Sequence, residues 1–390
     1  MKTIAEIMED LRNRVIEGHR LKRDEAANIN VELVEYTNPQ QVDIMDEKYV
    51  KTINRQFSDI FTDQLYALDS SSRVLETPYV FIGIGAGSVL NRFTGASMDI
   101  PSINSILGLE EPPHGHIVII PEVEGYDISK LREKTSHVIC SNPEGVVYTP
   151  SYNRNILLTE LRLMIENSLL KIFLEKRGEA SSVLLIDGPL IYPLPLEFPG
   201  SDYEKQHLYM NSLRKVNKER AMLIDKLHEN RVLVIGVVKR LHRSYLLSTL
   251  DPMGLASGRI NDEAYIASYI MQRNEARYEP LVIGPFLIKH RHEYGVNRVI
   301  WYIAMPRRLF PAMNMGNYVF YRIEVLDKGI DEDFVIGVIA YDSVNAGTLL
   351  PLSIIAVDQR VKKLTNAIMT YILYLAGLSR ESTMQYISIA

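Results

Sequence analysis

Val183-Leu184-Leu185-Ile186-Asp187-Gly188-Pro189 is the stretch that decides the fold. A short unbroken apolar run that stops at an Asp-Gly-Pro turn reads as a β-strand buried on both faces. Before it, Leu157, Leu161, Ile165, Leu169 and Ile172 mark the apolar face of a long helix over residues 153–177, which Gly178 ends. After it come a loop stiffened by Pro193, Pro195 and Pro199, a charged helix over residues 202–229, and a second buried strand over 232–238 that ends at Lys239-Arg240. Strand and helix alternate, so the expected class is α/β with a mixed central sheet and flanking helices.

Working outward, Leu65-Tyr66-Ala67-Leu68 reads as a short strand that ends in Asp69-Ser70-Ser71-Ser72-Arg73, and residues 77–84 as its neighbour across a short turn. Residues 46–63 have an amphipathic helical pattern. So do residues 3–23, where Ile4, Met8, Leu11 and Val15 share one face, either packed on their own domain or docked on a partner. Residues 91–150 are punctuated by Pro and Gly, with a strand expected over 117–120. A helix is expected from Asn261 or Asp262, both good N-caps, to 272. Residues 299–305 and 318–326 alternate like the arms of a hairpin, and 333–341 continue that alternation. Val361, Leu364, Ile368 and Ile372 carry a closing helix from Leu352 onward.

The chain has 390 residues, 46% hydrophobic and 23% charged, which excludes a disordered or fibrous polypeptide. Its net charge of −5 is wrong for a protein that coats nucleic acid non-specifically, so any contact with DNA must run through local patches or metal ions. The single cysteine, Cys140, excludes an intrachain disulfide framework and a four-cysteine zinc site, and fits a reducing compartment. The first 23 residues are charged throughout and no long apolar run occurs, so neither a signal peptide nor a membrane span is expected, and the location expected is the cytoplasm.

Asp69 and Asp187 each stand where a strand is expected to end, the place where ligands gather in open α/β sheets. One aspartate after a strand is most often a turn former, and Asp187 before Gly188-Pro189 has that look. The pair says more than either member. The long helix between them carries Glu160 and Glu166, about 240° apart around its axis, so only one can face the strand ends well. Two aspartates and a glutamate offer hard oxygen ligands for one or two divalent cations. Such ions clamp a phosphodiester and reverse the sign of an acidic site, which reconciles an acidic chain with a nucleic-acid substrate. Lys239 ends a strand beside them, and with Arg240, His242 and Arg243 it makes a candidate phosphate contact.

Other features point to less. Gly83-x-Gly85-x-Gly87 lacks the spacing of a nucleotide-binding glycine loop and reads as close backbone packing. His114-x-His116 and His290-x-His292 are pairs without a third ligand, and Lys289-His290-Arg291-His292 is a loop that could touch phosphate. Neither a nucleophile elbow nor a Walker motif occurs, and nothing around Cys140 marks it as a nucleophile.

Taken in order, Leu68-Asp69-Ser70-Ser71, Arg162-Leu163-Met164-Ile165-Glu166, Leu185-Ile186-Asp187-Gly188-Pro189-Leu190 and Ile235-Gly236-Val237-Val238-Lys239-Arg240 resemble the archaeal NurA nuclease family. Asp262, Tyr321-Arg322-Ile323-Glu324 and Leu350-Pro351-Leu352 with Ala356 resemble its later blocks. The resemblance implies an RNase H-like core and a manganese-dependent DNA nuclease, with magnesium as the alternative ion. It implies 5′→3′ exonuclease action on single- and double-stranded DNA, endonuclease action on single strands, and a homodimer working in end resection with HerA, a hexameric ATP-driven translocase. It assigns metal binding to Asp69 and Asp187. Glu166 matches the family glutamate better than Glu160, because Arg162 stands four residues before it. The last block departs from the family. Leu350 replaces a Tyr and Asp358 replaces a His, so Asp358 is expected to complete the acidic set while a phosphate or water contact is lost.

The expected organisation is an N-terminal helical segment over 1–60 suited to a dimer or partner contact, a NurA-like domain over 61–375 with an insertion around 90–150, and a tail over 376–390. The two departures in the last block also fit a catalytically weak, ring-shaped adaptor that binds a translocase and guides DNA. A small-molecule-binding α/β protein rests only on the glycine run.

Overall fold

The computed structural model describes residues 42–45, 50–53, 64–77, 79–121, 135–178, 180–194, 203–242, 244–255, 260–273, 279–289, 296–307 and 318–375. Along the chain the strands are β1 (Val42–Ile44), β2 (Val50–Thr52), β3 (Leu65–Glu76), β4 (Val80–Asn91), β5 (Ser97–Ile100), β6 (Ile117–Pro121), β7 (Val138–Ile139), β8 (Ser182–Asp187), β9 (Val232–Val238), β10 (Leu281–Ile288), β11 (Arg298–Pro306) and β12 (Tyr318–Leu326). The helices are α1 (Ile103–Ile106), α2 (Arg154–Lys176), α3 (Tyr203–Glu229), α4 (Leu246–Leu250), α5 (Asp262–Arg273), α6 (Glu332–Ala340) and α7 (Leu352–Leu375), with a π-helical turn over Tyr341–Asn345 between the last two. All the strands join one mixed sheet in the order β1-β10-β11-β12-β9-β8-β3-β4-β6-β7. β3, β8 and β9 are parallel at its middle, and the strands flanking that trio pair antiparallel.

Side-chain alternation sorts the sheet into two faces. Leu68, Leu184 and Ile186 point toward α2 and α3, where Leu157, Leu161, Ile165 and Leu169 meet them. Leu65, Ala67, Val183, Leu185, Ile235 and Val237 point the other way, onto α6 and α7. The central strands are therefore covered on both sides, as the unbroken apolar run at 183–186 predicts. Toward both borders the sheet is broken into short strands, with β7 beyond β6 at one of them. β1 and β2 share one side of β10, and β5 and β6 share one side of β4.

Three sequence expectations are corrected. β3 does not stop at Asp69 but continues to Glu76, because β4 pairs with it throughout, Asp69 opposite Ser88 and Ser72 opposite Gly85. The turn falls at Thr77, whose N–H bonds the Val80 carbonyl at 3.0 Å. Residues 333–341 do not extend the hairpin of β11 and β12. They form α6 and the start of the π turn, a helix buried nearly all round, in which an apolar run hides the helical period. The cue was its start, where Asp331 caps the Asp333 and Phe334 amides. Of the helix expected over 46–63, the described part at Val50–Thr52 is a strand on β10. β10 itself, with Gly284-Pro285 inside it and a register shift there, gave no clean strand pattern. The expected helix over 3–23 and most of the loop at 193–199 lie outside the described residues, as does His290-x-His292.

The glycine run in β4 serves packing. Added at Gly87, a Cβ would lie 2.6 Å from Ile165 Cγ2 and 2.7 Å from Leu169 Cδ1, so only glycine lets α2 lie this close to the strand. Among the described residues no helix is long and apolar enough to cross a membrane. Gly87→Val is expected to destabilise the chain by about 1–3 kcal/mol by overpacking. Urea denaturation beside the native protein measures it, and an unchanged midpoint would contradict the packing account.

Candidate metal centre

Three of the sequence-selected carboxylates come together. Each of Asp69, Asp187 and Asp358 offers an oxygen, and these atoms all lie within 4.8 Å of one another. Strand geometry makes the first two neighbours. β3 and β8 run parallel with Leu68 opposite Ile186, and Asp69 and Asp187 stand one step further on. Both continue the series that faces α7, Leu65 and Ala67 in one strand and Val183 and Leu185 in the other. Helix α7 lies across β3, β4 and β8 and supplies Asp358 from above. Asp69 is therefore not at a strand end, but it is where parallel pairing with β8 ends, and Asp187 does end its strand.

Lys239, on the same face of β9 two residues past Val237, brings its Nζ to 2.5 Å from Asp187 Oδ2 and 3.8 Å from Asp358 Oδ1. Lys362 adds a second ammonium 2.7 Å from Asp358, one helical turn along. Arg240, the other candidate phosphate contact, is exposed beyond the strand. Burial raises the Asp69 carboxyl to about 9, with Asp187 and Glu166 pushing it further up and Lys239 opposing. Burial also raises Asp187, opposed chiefly by Lys239. Three crowded, half-dry carboxylates thus need positive charge. Their all-oxygen donor set suits a hard divalent cation, so the residues present fit one.

The two glutamates separate clearly. Glu160 is fully buried, with its oxygens taken by Tyr148 at 3.0 Å, by Tyr152 at 2.8 Å and 3.0 Å, and by the Ser212 hydroxyl. Burial lifts it to about 7 despite those donors, and it belongs to the α2–α3 interface. Glu166 faces the strand ends from the α2 side of the sheet. Its Oε1 accepts Ser70 Oγ at 2.5 Å and its Oε2 accepts Arg220 Nη1 at 2.7 Å. Alternation explains the offset, since Ser70 points to the face opposite Asp69. Glu166 therefore stands beside the three aspartates and not among them, close enough to push Asp69 and Asp187 upward.

Behind Asp187 the chain folds back over β9. Gly188 bonds the Val237 carbonyl at 2.9 Å, and a Cβ at Gly236 would lie 2.9 Å from the Gly188 carbonyl, so glycine is required there. Leu190 N–H donates to Glu324 Oε2 at 3.1 Å. Although burial pushes Glu324 up, Arg298 and Arg322 hold it below the usual carboxylate range. Asp262 follows the N-cap of α5, Asn261, whose Oδ1 takes the Ala264 amide. Its own carboxylate accepts Ser244 Oγ, Leu247 N–H and Tyr302 Oη, a packing role. His116 pairs with buried His137 at 2.9 Å, while His114 contacts its neighbour's carbonyl. Among the described residues the aspartate trio is the one cluster of three or more such side chains fit for a metal. Sequence reading missed Arg220 and the part played by Ser70. Arg220 is one cation among many on a charged helix, and nothing in its spacing marks it.

The sequence profile of the NurA domain family matches residues 63–362. Among solved structures, the NurA nuclease from Sulfolobus solfataricus is 10% identical, with 83% of this chain and 86% of that one covered at a TM-score of 0.41. A NurA with manganese is 10% identical, with 97% of each chain covered at a TM-score of 0.39. A NurA bound to dAMP and manganese is 11% identical, with 90% and 88% covered at a TM-score of 0.36. No curated protein matches. The profile match, not these overlaps, carries the family.

The acid–base state of the cluster has a measurable sign. Unfolded, Asp69 ionises near 3.8, and folded without metal it ionises at about 9. The folded chain therefore holds an extra proton across that window, and stability falls as pH rises through it. In EDTA, melting temperature is expected to decline from pH 6 to pH 9, and Asp69→Asn is expected to flatten the decline. Equal slopes for native and variant would contradict this.

Proposed function

The chain belongs to the NurA domain family, and from that premise we propose that it is a divalent-metal-dependent DNA nuclease. The observation that carries the reading is the convergence of Asp69, Asp187 and Asp358, three oxygen ligands from two strands and a helix. Manganese is the ion proposed, with magnesium as the alternative. A divalent ion held there supplies the charge that polarises a phosphodiester and activates water for attack on phosphorus. No side-chain nucleophile is required.

The chain's own residues do the rest. Asp69, Asp187 and Asp358 would hold the cation, with the Asp69 proton released to solvent. Glu166 is fixed by Arg220 on one oxygen. Among the described residues its other oxygen meets only the Ser70 hydroxyl, and by leaving that contact it would join the ligand set. Lys239, which contacts Asp187 and Asp358, would serve as a phosphate contact beside a bound cation, and Arg240 would extend that contact outward. Asp358 keeps an oxygen donor where the family has His, while Leu350 leaves the Tyr contact unreplaced.

The family resemblance supports the finer reading: an RNase H-like core, 5′→3′ exonuclease action on single- and double-stranded DNA, endonuclease action on single strands, a homodimer, a cytoplasmic location and end resection with a HerA-type hexameric translocase. The assembled acidic cluster favours this enzyme over a catalytically weak adaptor, which has no use for three carboxylates held against their repulsion.

End-labelled single- and double-stranded DNA incubated with Mn²⁺, Mg²⁺ or EDTA, native protein beside Asp187→Ala, tests the proposal. Cutting is expected with metal, none with EDTA, and at least about a 100-fold loss in the variant. Equal cutting by a clean, folded Asp187→Ala preparation would overturn the assignment.

A further inference from the structure

We infer that Arg220 is the positioning residue of the acidic centre: one buried guanidinium holds Glu166 on one side and the backbone behind Asp187 on the other. The inference rests on the metal-centre reading and deepens it. Arg220 stands on α3 and is 1% exposed. Its Nη1 donates to Glu166 Oε2 at 2.7 Å, and its Nε donates to the Leu190 carbonyl at 2.9 Å. Each contact leads to a different aspartate. Glu166 accepts Ser70 Oγ at 2.5 Å, and the Ser70 amide in turn donates to Asp69 Oδ1 at 2.7 Å. Leu190 lies three residues after Asp187, on the segment that crosses Gly236.

The same helix grips that segment again. Asn217 Oδ1 takes the Tyr192 amide at 3.0 Å and its Nδ2 donates to the Tyr192 carbonyl at 2.9 Å. Asn217 holds the segment alone, however, whereas Arg220 joins it to a carboxylate of the other arm. The planar fork suits this task. Two donors of fixed relative direction reach two acceptors on different elements, which a lysine ammonium on a flexible stem does not reproduce. The buried guanidinium meets the Glu166 carboxylate at 2.7 Å. Three carboxylates within 4.8 Å of one another repel, so their backbones must be fixed from outside. Arg220 fixes both β3, through Glu166 and Ser70, and the exit of β8.

Such outer partners typically change metal affinity by about 10- to 100-fold when lost. A residue that only stabilises the fold changes melting and leaves the affinity of the folded fraction alone. The full chain is titrated with manganese chloride in a calorimeter, native beside Arg220→Lys, at a temperature where melting curves show both folded. A drop in Mn²⁺ affinity of about 10- to 100-fold is expected. Equal affinity, whatever the melting temperature, overturns the inference. A second comparison covers the case in which Arg220→Lys does not fold. Glu166→Gln is set beside Glu166→Gln combined with Arg220→Gln, a neutral pair that leaves no buried charge alone. Weaker binding in the double variant than in Glu166→Gln supports the link to Leu190, and equal binding overturns it. If native protein binds no Mn²⁺, the metal-centre reading falls and takes this inference with it, an outcome distinct from a loss confined to the variants.

Discussion

Electrostatic repulsion among Asp69, Asp187 and Asp358 is the constraint around which the rest of the structure is arranged. Parallel pairing of β3 with β8 forces the first two side by side, because residues at equal height in parallel strands share a face. Helix α7 then adds a third negative group over them. Left alone, that arrangement would spring apart or take up protons, and Asp69 does the latter. Lys239 and Lys362 relieve part of the strain from the rim. The remaining demand for positive charge is what makes the place chemically capable.

Much of the architecture serves to hold those groups against that repulsion. The small residues of β4 let α2 settle onto the sheet, which brings Glu166 beneath Ser70. Asp342 ties the turn before α7 to Arg92 and caps the Ser353 amide, so the helix carrying Asp358 is anchored at its start. Behind β8, the buried set of Glu324, Arg298 and Arg322 pins Leu190. Buried ion pairs add little net stability compared with apolar packing, but they fix geometry, and here they border the segment leaving Asp187.

The elements whose pattern agrees with their burial were legible in the sequence: β8 and β9 as unbroken apolar runs, α2 by its helical stripe, and α7 by the spacing of Val361, Leu364, Ile368 and Ile372. Legibility failed where environment overrides local pattern. The serines after Asp69 have turn chemistry, yet eleven cross-strand partners in β4 keep them extended. α6 is buried nearly all round from Val335 to Ala340, so its polar stripe is missing there. For the site, Asp69 and Asp187 were marked by expected strand ends and by family likeness together, and Asp358 by family likeness alone. The choice of Glu166 over Glu160 rested on Arg162 alone, while the structure separates them by what surrounds each carboxylate. Arg220 could not be read, because its role depends on two acceptors that are distant in sequence.

The broken borders of the sheet carry a consequence of another kind. Unpaired peptide groups along a straight sheet edge are an invitation to strand addition by a neighbouring molecule, the first step of ordered aggregation. Here one border is broken into Val42–Ile44 and Val50–Thr52. The other is broken into Ser97–Ile100 beside the short ladder of Ile117–Pro121 with Val138–Ile139. Among the described residues each fragment is too short to template a continuous ribbon, so this wide sheet presents no long border there.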